Sequence, residues 1–292
     1  MSLRGDWLLF KTKRSRLKQQ VATSFMHPNR RQDEVAPEQF PDPDRVTVVP
    51  LEQGRLVTVT PKQETTKHVV LLHGGAYTVP ATESHREWLI YISDQLGARA
   101  TLIDYPLAPE ATATVTVPAT VAAYQELGLE YPDDQFYLLG DSAGGGLALV
   151  LLQQLRDQHA LLPKASVLVS PWTDLAMRDP QIEARDDNDP ELSFAAMRQT
   201  AINYAGQLVL DDALLSPING NLEHLGRIGL FYGTTELLLP DHQRLATKLQ
   251  QATGTQVDVH ELKGMLHDYL FWHALPESRQ TFKYLAEQLN QA

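Results

Sequence analysis

At 292 residues the chain has room for one large α/β domain or two small ones, and its 43% hydrophobic and 21% charged content is ordinary for a globular protein. A formal net charge of −11 argues against nucleic acid and anionic membrane surfaces as main partners. With no cysteine, disulfides, thiolate catalysis and cysteine metal sites are excluded.

The first 44 residues read as an arm and residues 45–292 as the main domain. Arg4, Lys11, Lys13, Arg14, Arg16 and Lys18 alternate with Trp7, Leu8, Leu9, Phe10 and Leu17. A basic amphipathic helix lying on a membrane is one reading. The favoured one is a helical arm whose apolar side packs over the domain, with its lysines in solvent and no membrane contact. No apolar run long enough for a signal peptide follows these cations, and no stretch approaches a membrane span, so a cytoplasmic protein is expected. Residues 27–37 and Pro41-Asp42-Pro43 read as an irregular connection.

Residues 45–49 and 55–60 are β-rich runs around Glu52-Gln53-Gly54, the pattern of an antiparallel hairpin at a sheet edge. Strands and helices then alternate. Strands are expected at 68–72, 99–103, 136–139, 166–169, 228–232 and 256–261. Helices are expected at 83–96, 118–129 (opened by Pro118), 143–159, 241–252 and 276–289. This rhythm predicts an α/β fold with a mostly parallel central sheet flanked by helices. It breaks between Asp174 and Arg227, where an acidic loop (Asp186, Asp187, Asn188, Asp189-Pro190) precedes one helical stretch, 194–207. An insertion at about 175–227, following a sheet strand, falls over the strands' C-terminal ends, where such sheets bind ligands. It is expected to be a helical cap.

The most specific stretch runs from Phe136 to Val150. An apolar run stops at Gly140, and Gly140-Asp141-Ser142-Ala143-Gly144 fits the G-x-S-x-G nucleophile elbow ahead of a long helical pattern. Small neighbours let the turn close with the Ser142 hydroxyl exposed, and the helix behind it aims unpaired N–H groups at the same spot. A glycine-rich turn can also hold phosphate, but no lysine follows as a Walker-type loop requires. After strand 68–72, Gly74 and Gly75 allow backbone N–H groups to turn toward a common point, as an oxyanion hole needs. Ala76 keeps its N–H, and His73 reads as a residue ordering the turn.

A base and an acid must come from later loops. Of the ten histidines, His267 stands in the loop after the last strand, where the chain order nucleophile, acid, base asks for one. His242, His260 and His273 fall on predicted helices or a strand, or beyond that loop. Glu236 lies just past the preceding strand, placed to orient an imidazole. Asp241 is the alternative acid, but it looks like a helix start, where aspartate caps.

Together, His73-Gly74-Gly75-Ala76-Tyr77, Asp104-Tyr105-Pro106-Leu107-Ala108-Pro109-Glu110, Gly140-Asp141-Ser142-Ala143-Gly144-Gly145, Ser170-Pro171-Trp172-Thr173-Asp174-Leu175 and Gly264-Met265-Leu266-His267 carry a resemblance. Spread over about residues 68–275, they resemble the hormone-sensitive-lipase-like branch of the α/β-hydrolases, the bacterial carboxylesterase and arylacetamide-deacetylase group. The resemblance implies an α/β-hydrolase fold whose cap is built from the arm and the insertion. It also implies a serine carboxylesterase that cleaves short-chain esters through an acyl-enzyme, using neither metal nor organic cofactor. Ser142 would be the nucleophile, His267 the general base and acid, and Glu236 the orienting carboxylate where most relatives carry Asp. The N–H groups of Gly75, Ala76 and Ala143 would form the oxyanion hole, with Gly74 shaping the turn. Residues 104–110 and 170–175 would be structural loops, Asp174 holding its own. Tyr77, Trp172, Phe194 and Leu266 are expected as pocket walls, although each could equally be core. The partner implied is a small ester, with a homodimer left open. A catalytically silent binder or an amide-directed hydrolase on this fold are the alternatives.

Overall fold

In strand β3 (Lys67–Leu72), Val69 and Leu71 point to one face and Val70 and Leu72 to the other, and all are fully buried. Strand β5 (Gln135–Asp141) repeats this, with Phe136 and Leu138 opposite Tyr137 and Leu139. Strands apolar at every position need cover on both faces. The result is a core on each side of one sheet. The computed structural model describes residues 2–30 and 35–291; Met1, residues 31–34 and Ala292, which belong to the expected arm and main domain, lie outside the described residues.

The remaining strands are β1 (Val46–Pro50), β2 (Arg55–Val59), β4 (Arg99–Asp104), β6 (Ser166–Val169), β7 (Gly226–Gly233) and β8 (Thr255–Leu262). The 8-stranded sheet runs β1-β2-β4-β3-β5-β6-β7-β8. The expected edge hairpin makes β1 and β2 antiparallel, β2 pairs antiparallel with β4, and every later pairing is parallel. Helices α3 (Glu83–Leu96) and α9 (Pro276–Leu289) bury Trp88, Leu89, Ile92, Phe282 and Leu285 in one core. Helices α4 (Ala113–Glu130), α5 (Ser142–Asp157) and α8 (Leu239–Gln251) fill the other. Strand order reverses between β3 and β5, which are in register with Leu72 opposite Gly140. A crevice opens at such a switch point, beyond the strands' C-terminal ends. The loops starting at His73 and Asp141 meet there.

Helix α4 begins five residues before Pro118, at Ala113, so the proline is inside the helix rather than opening it. Pro118 lacks the N–H that would reach Thr114, a loss that costs about 3 kcal/mol or more for an interior proline. Burial of Ala113, Thr116 and Val117 and the 2.8 Å bond from Thr116 Oγ1 to the Pro106 carbonyl hold the extra turn in place. These are tertiary contacts, invisible in the sequence.

The arm forms α1 (Leu3–Lys13) and α2 (Leu17–Met26). The insertion contains α6 (Pro180–Ala184) and α7 (Phe194–Ala205), one helix more than expected. Helix α2 packs on α7, and Lys18 Nζ reaches Asp186 Oδ1 at 2.9 Å. On α1 the packing differs from expectation. Gly5, Leu8 and Thr12 are buried, but Leu3, Trp7 and Phe10 face solvent. Those last residues lie three and four apart, on the side of the helix opposite its buried stripe.

Candidate active site

Strand β5 passes directly into α5, and Ser142 stands at the junction with φ +48°. Holding a non-glycine residue there costs on the order of 1–3 kcal/mol. The turn persists because its surroundings fix it: a Cβ on Gly140 would lie 2.6 Å from the Gly144 carbonyl oxygen, and one on Gly144 would run into the carbonyls of Leu72 and His73. Without side chains at these positions, the start of α5 seats against the end of β3. The Trp172 N–H then closes onto the Ser142 carbonyl at 2.8 Å.

Three loops converge on the hydroxyl. His267, after β8, has Nε2 2.9 Å from Ser142 Oγ and Nδ1 2.9 Å from Glu236 Oε2. Glu236, after β7, is fully buried, and its Oε1 accepts from Ser170 Oγ at 2.8 Å and from the Gly233 N–H. Burial alone would raise its pKa, but the imidazoles of His242 and His267 and the Gly233 bond outweigh burial and lower it. Glu236 is therefore an ionised acceptor beside His267 Nδ1. Asp241, the alternative acid, pairs with no histidine among the described residues. It lies in the first turn of α8, 3.2 Å from Arg244, and burial followed by repulsion from Asp174 pushes its pKa up to about 7. Asp174 accepts from the Ala176 N–H at 3.0 Å and pairs with Arg244, so it holds its loop as expected and ties it to α8.

The Glu236 loop is also held from the insertion, which sequence reasoning missed. Arg185 Nε donates to the Glu236 carbonyl at 2.8 Å, and buried Asp189 accepts the Leu237 N–H at 2.6 Å. The other oxygen of Asp189 takes the N–H groups of Glu191 and Leu192 at 2.8 and 2.9 Å. The acidic loop of the insertion is thus a clamp between the insertion and the strand-end acid.

In the loop after β3, Gly75 and Ala76 both have positive φ (105° and 52°), and their N–H groups find no acceptor among the described residues. Ala143, in the first turn of α5, carries one of the N–H groups a helix start leaves unpaired. Gly74 is different: its N–H donates to Asp141 Oδ2 at 3.0 Å, so Gly74 shapes the turn and is not a free donor. Asp141 Oδ2 also lies 3.3 Å from His85 Nε2, so the residue before the serine braces the neighbouring loop. His73 is a turn residue as expected, with Nδ1 2.6 Å from the Gly74 carbonyl and its ring stacked on Tyr105 at 4.4 Å.

A cavity of about 420 Å³ opens over Ser142, His267, Gly74 and Gly75. Its apolar walls come from Leu17, Val21 and Phe25 of α2, from Val79 and Pro80, and from Leu192, Phe271 and Trp272. Tyr77, Trp172, Phe194 and Leu266 are not among its lining residues, which corrects the expected pocket walls. Tyr77 stacks on Tyr204 at 3.9 Å and leans on Trp172, anchoring the loops from beneath. Leu266 is buried in the core on the opposite side of the sheet from Tyr77, and Phe194 packs partly buried against the Tyr77 side. A signal for the true wall was present. Leu17, Val21 and Phe25 recur every four residues, a single stripe along a helix.

Two carboxylates complete the cavity wall. Asp268, held at φ +46°, has Oδ2 3.3 Å from His267 Nε2. Burial disfavours a charged His267, but Asp268 and Glu236 outweigh it and raise the imidazole pKa well above its usual value. The Asp268 carboxyl is itself raised by burial to about 6. Glu191 is raised well above the carboxylate range, by burial first and then by Asp189.

Comparison with known proteins agrees with this architecture. Residues 69–271 match the family described as alpha/beta hydrolase fold. The chain is 34% identical over 228 residues to an acetyl-hydrolase of Streptomyces hygroscopicus, covering 77% of this chain and 76% of that protein. It is 28% identical to an esterase of Acinetobacter venetianus, over 85% of this chain and 83% of the relative. A crystal structure of an esterase from the bacterial hormone-sensitive lipase family superposes with a TM-score of 0.77 at 28% identity, covering 95% of this chain and 98% of that one. With the nucleophile elbow at the strand switch point and the family match spanning most of the main domain, the chain belongs to the α/β-hydrolase fold family, on its hormone-sensitive-lipase-like branch.

Proposed function

We propose that the protein is a serine carboxylesterase that hydrolyses small, short-chain esters through an acyl-enzyme on Ser142. The observation that carries this is the unbroken relay Ser142–His267–Glu236, with 2.9 Å at both links, opening into the cavity beside Gly75. His267 Nε2 takes the Ser142 proton as Oγ attacks the ester carbonyl. Glu236 fixes the Nδ1–H tautomer and stabilises the imidazolium. The developing oxyanion is met by the N–H groups of Gly75, Ala76 and Ala143, already oriented before reaction. His267 then protonates the leaving alcohol, and water repeats the cycle against the acyl-enzyme. The arm and the insertion serve as the cap.

The short-chain preference is supported by the acetyl-hydrolase relative and by the cavity, whose roughly 420 Å³ is at the small end of ligand sites. Purified protein assayed on p-nitrophenyl esters from acetate to palmitate, beside Ser142→Ala, tests the reading. Turnover should peak on short acyl chains and vanish in the variant. Well-folded protein that turns over no ester would sink the proposal and favour a silent binder or an amide substrate.

A further inference from the structure

The outward face of α1 has no packing role. Leu3, Trp7 and Phe10 are 89%, 63% and 53% exposed on the side away from buried Gly5, Leu8 and Thr12. Around that stripe stand Lys11, Lys13, Arg14 and Arg16, all exposed and without an ion pair among the described residues. The cations and rings are associated: Lys11 Nζ sits 5.2 Å from the centre of the Trp7 ring and the Arg14 guanidinium 3.9 Å from that of Phe10. Aromatic and aliphatic groups flanked by long cations that can reach outward make up a face suited to a lipid interface.

We infer that α1 is a docking helix that seats the protein on anionic lipid surfaces. Charge complementarity selects this occupant. The chain has a net charge of −11, yet residues 4–18 carry Arg4, Lys11, Lys13, Arg14, Arg16 and Lys18 against the single acid Asp6. A second copy meeting this face about a two-fold axis would set cations against cations. An anionic headgroup layer accepts the cations while the adjoining acyl region takes Trp7 and Phe10. The geometry also gives docking a direction. Ser2 N donates to Glu277 at 2.7 Å and Arg4 to the Ala274 carbonyl at 3.1 Å, just past Trp272 of the cavity wall. The next helix, α2, supplies Leu17 and Val21 to the same wall. A lipid-seated α1 therefore places the bilayer next to elements that carry the cavity wall. No helix among the described residues is long and apolar enough to cross a bilayer, so the contact is peripheral.

The test is co-sedimentation of the full chain with vesicles of phosphatidylcholine, with and without roughly one-third phosphatidylglycerol. Binding is expected only with the anionic lipid, and it should fall steeply as salt rises from about 0.02 to about 0.5 M. The double variant Trp7→Ser/Phe10→Ser and the triple variant Lys11→Gln/Lys13→Gln/Arg14→Gln should each lower partitioning by about tenfold or more. Turnover of a soluble ester should be unchanged in both and serves as the folding check. Vesicle binding is read without turnover, so it stands or falls separately from the esterase reading. No sedimentation with anionic vesicles at low salt overturns the inference, as does binding that neither variant weakens. A wild-type dimer that the Trp7/Phe10 variant converts to monomer would assign the face to a second copy instead.

Discussion

The two sides of the cavity are built by different means. On one side, Ser142, Glu236 and His267 arrive from the ends of β5, β7 and β8, with loops wedged over two buried cores. On the other, α2, residues 191–192 and residues 271–272 form the wall, and the arm is tied down by polar contacts such as Lys18–Asp186, whose side chains are 29% and 35% exposed. The first side is held by backbone geometry that cannot shift without disturbing the sheet. The second combines the packing of Phe25 and Leu192 on one of those cores with part-exposed polar contacts each worth about 1 kcal/mol or less. Reactive-atom geometry and cavity shape are therefore separable, and substitutions should sort accordingly.

The largest effects belong to the strand-end side. Ser142→Ala should lower kcat by about 10⁴–10⁶-fold, the range for removing an activated nucleophile. Comparing Glu236→Gln with Asp241→Asn is more discriminating. Glu236→Gln should lower kcat by roughly 10³–10⁴-fold, because the neutral amide no longer fixes the tautomer or stabilises the imidazolium. Asp241→Asn alters a carboxyl that faces Asp174 and Arg244, not His267, so its kcat should stay within about threefold of wild type. Steady-state kinetics of the pair on one soluble ester decide the matter; equal losses would mean that the acid has been misassigned.

How much could be read from the sequence follows the same division. The switch-point strands, the elbow, His267 and Glu236 announce themselves because each is a local pattern: an apolar run and the residues where it stops. The fold class and the edge hairpin were legible for the same reason. The wall was not. Tyr77 and Trp172 flank the motifs, but Tyr77 meets both Tyr204 and Trp172 beneath the loops, a pairing of residues distant in sequence. Nothing local in the sequence joins Asp189 to Leu237 or Asp141 to Gly74, because each pair is far apart along the chain. The start of α4 was hidden behind Pro118 and a Thr/Val run. The exposed face of α1 could not be told from its buried face, since both carry large apolar residues.

A smaller effect probes the border between the two sides. Asp268 lies on the catalytic loop but faces the cavity, 3.3 Å from His267 Nε2. His267 must be neutral to accept the serine proton. Its raised pKa therefore places the acid limb of kcat/KM higher than an ordinary histidine would, and activity should increase toward alkaline pH. With a pKa of about 6, Asp268 is mostly ionised at neutral pH and favours the imidazolium. Asp268→Asn removes that charge and lowers the His267 pKa, so the acid limb should move to lower pH and relative activity below neutrality should rise. An acid limb that stays in place, or moves upward, would show that Asp268 does not set the protonation of the base.

The smallest effects on chemistry should come from the arm, where they should appear as changes in selectivity. Val21 lines the cavity at the middle of the α2 stripe, and Lys18, one turn earlier, pins α2 to the insertion through Asp186. Val21→Trp adds volume to a cavity of about 420 Å³ without touching Ser142, Glu236 or His267. Turnover of the acetate ester should change by no more than about threefold, while the longest acyl chain accepted becomes shorter. Lys18→Ala should act in the opposite sense. It loses a part-exposed ion pair worth at most about 1 kcal/mol, together with contacts to the Asp186 and Asp189 carbonyls, so the melting temperature should fall only slightly. A less firmly held α2 should admit longer chains, raising their kcat/KM relative to acetate. If both variants instead lowered kcat on every ester alike, the arm would be part of what fixes the reactive atoms, and the separation of geometry from cavity shape would fail.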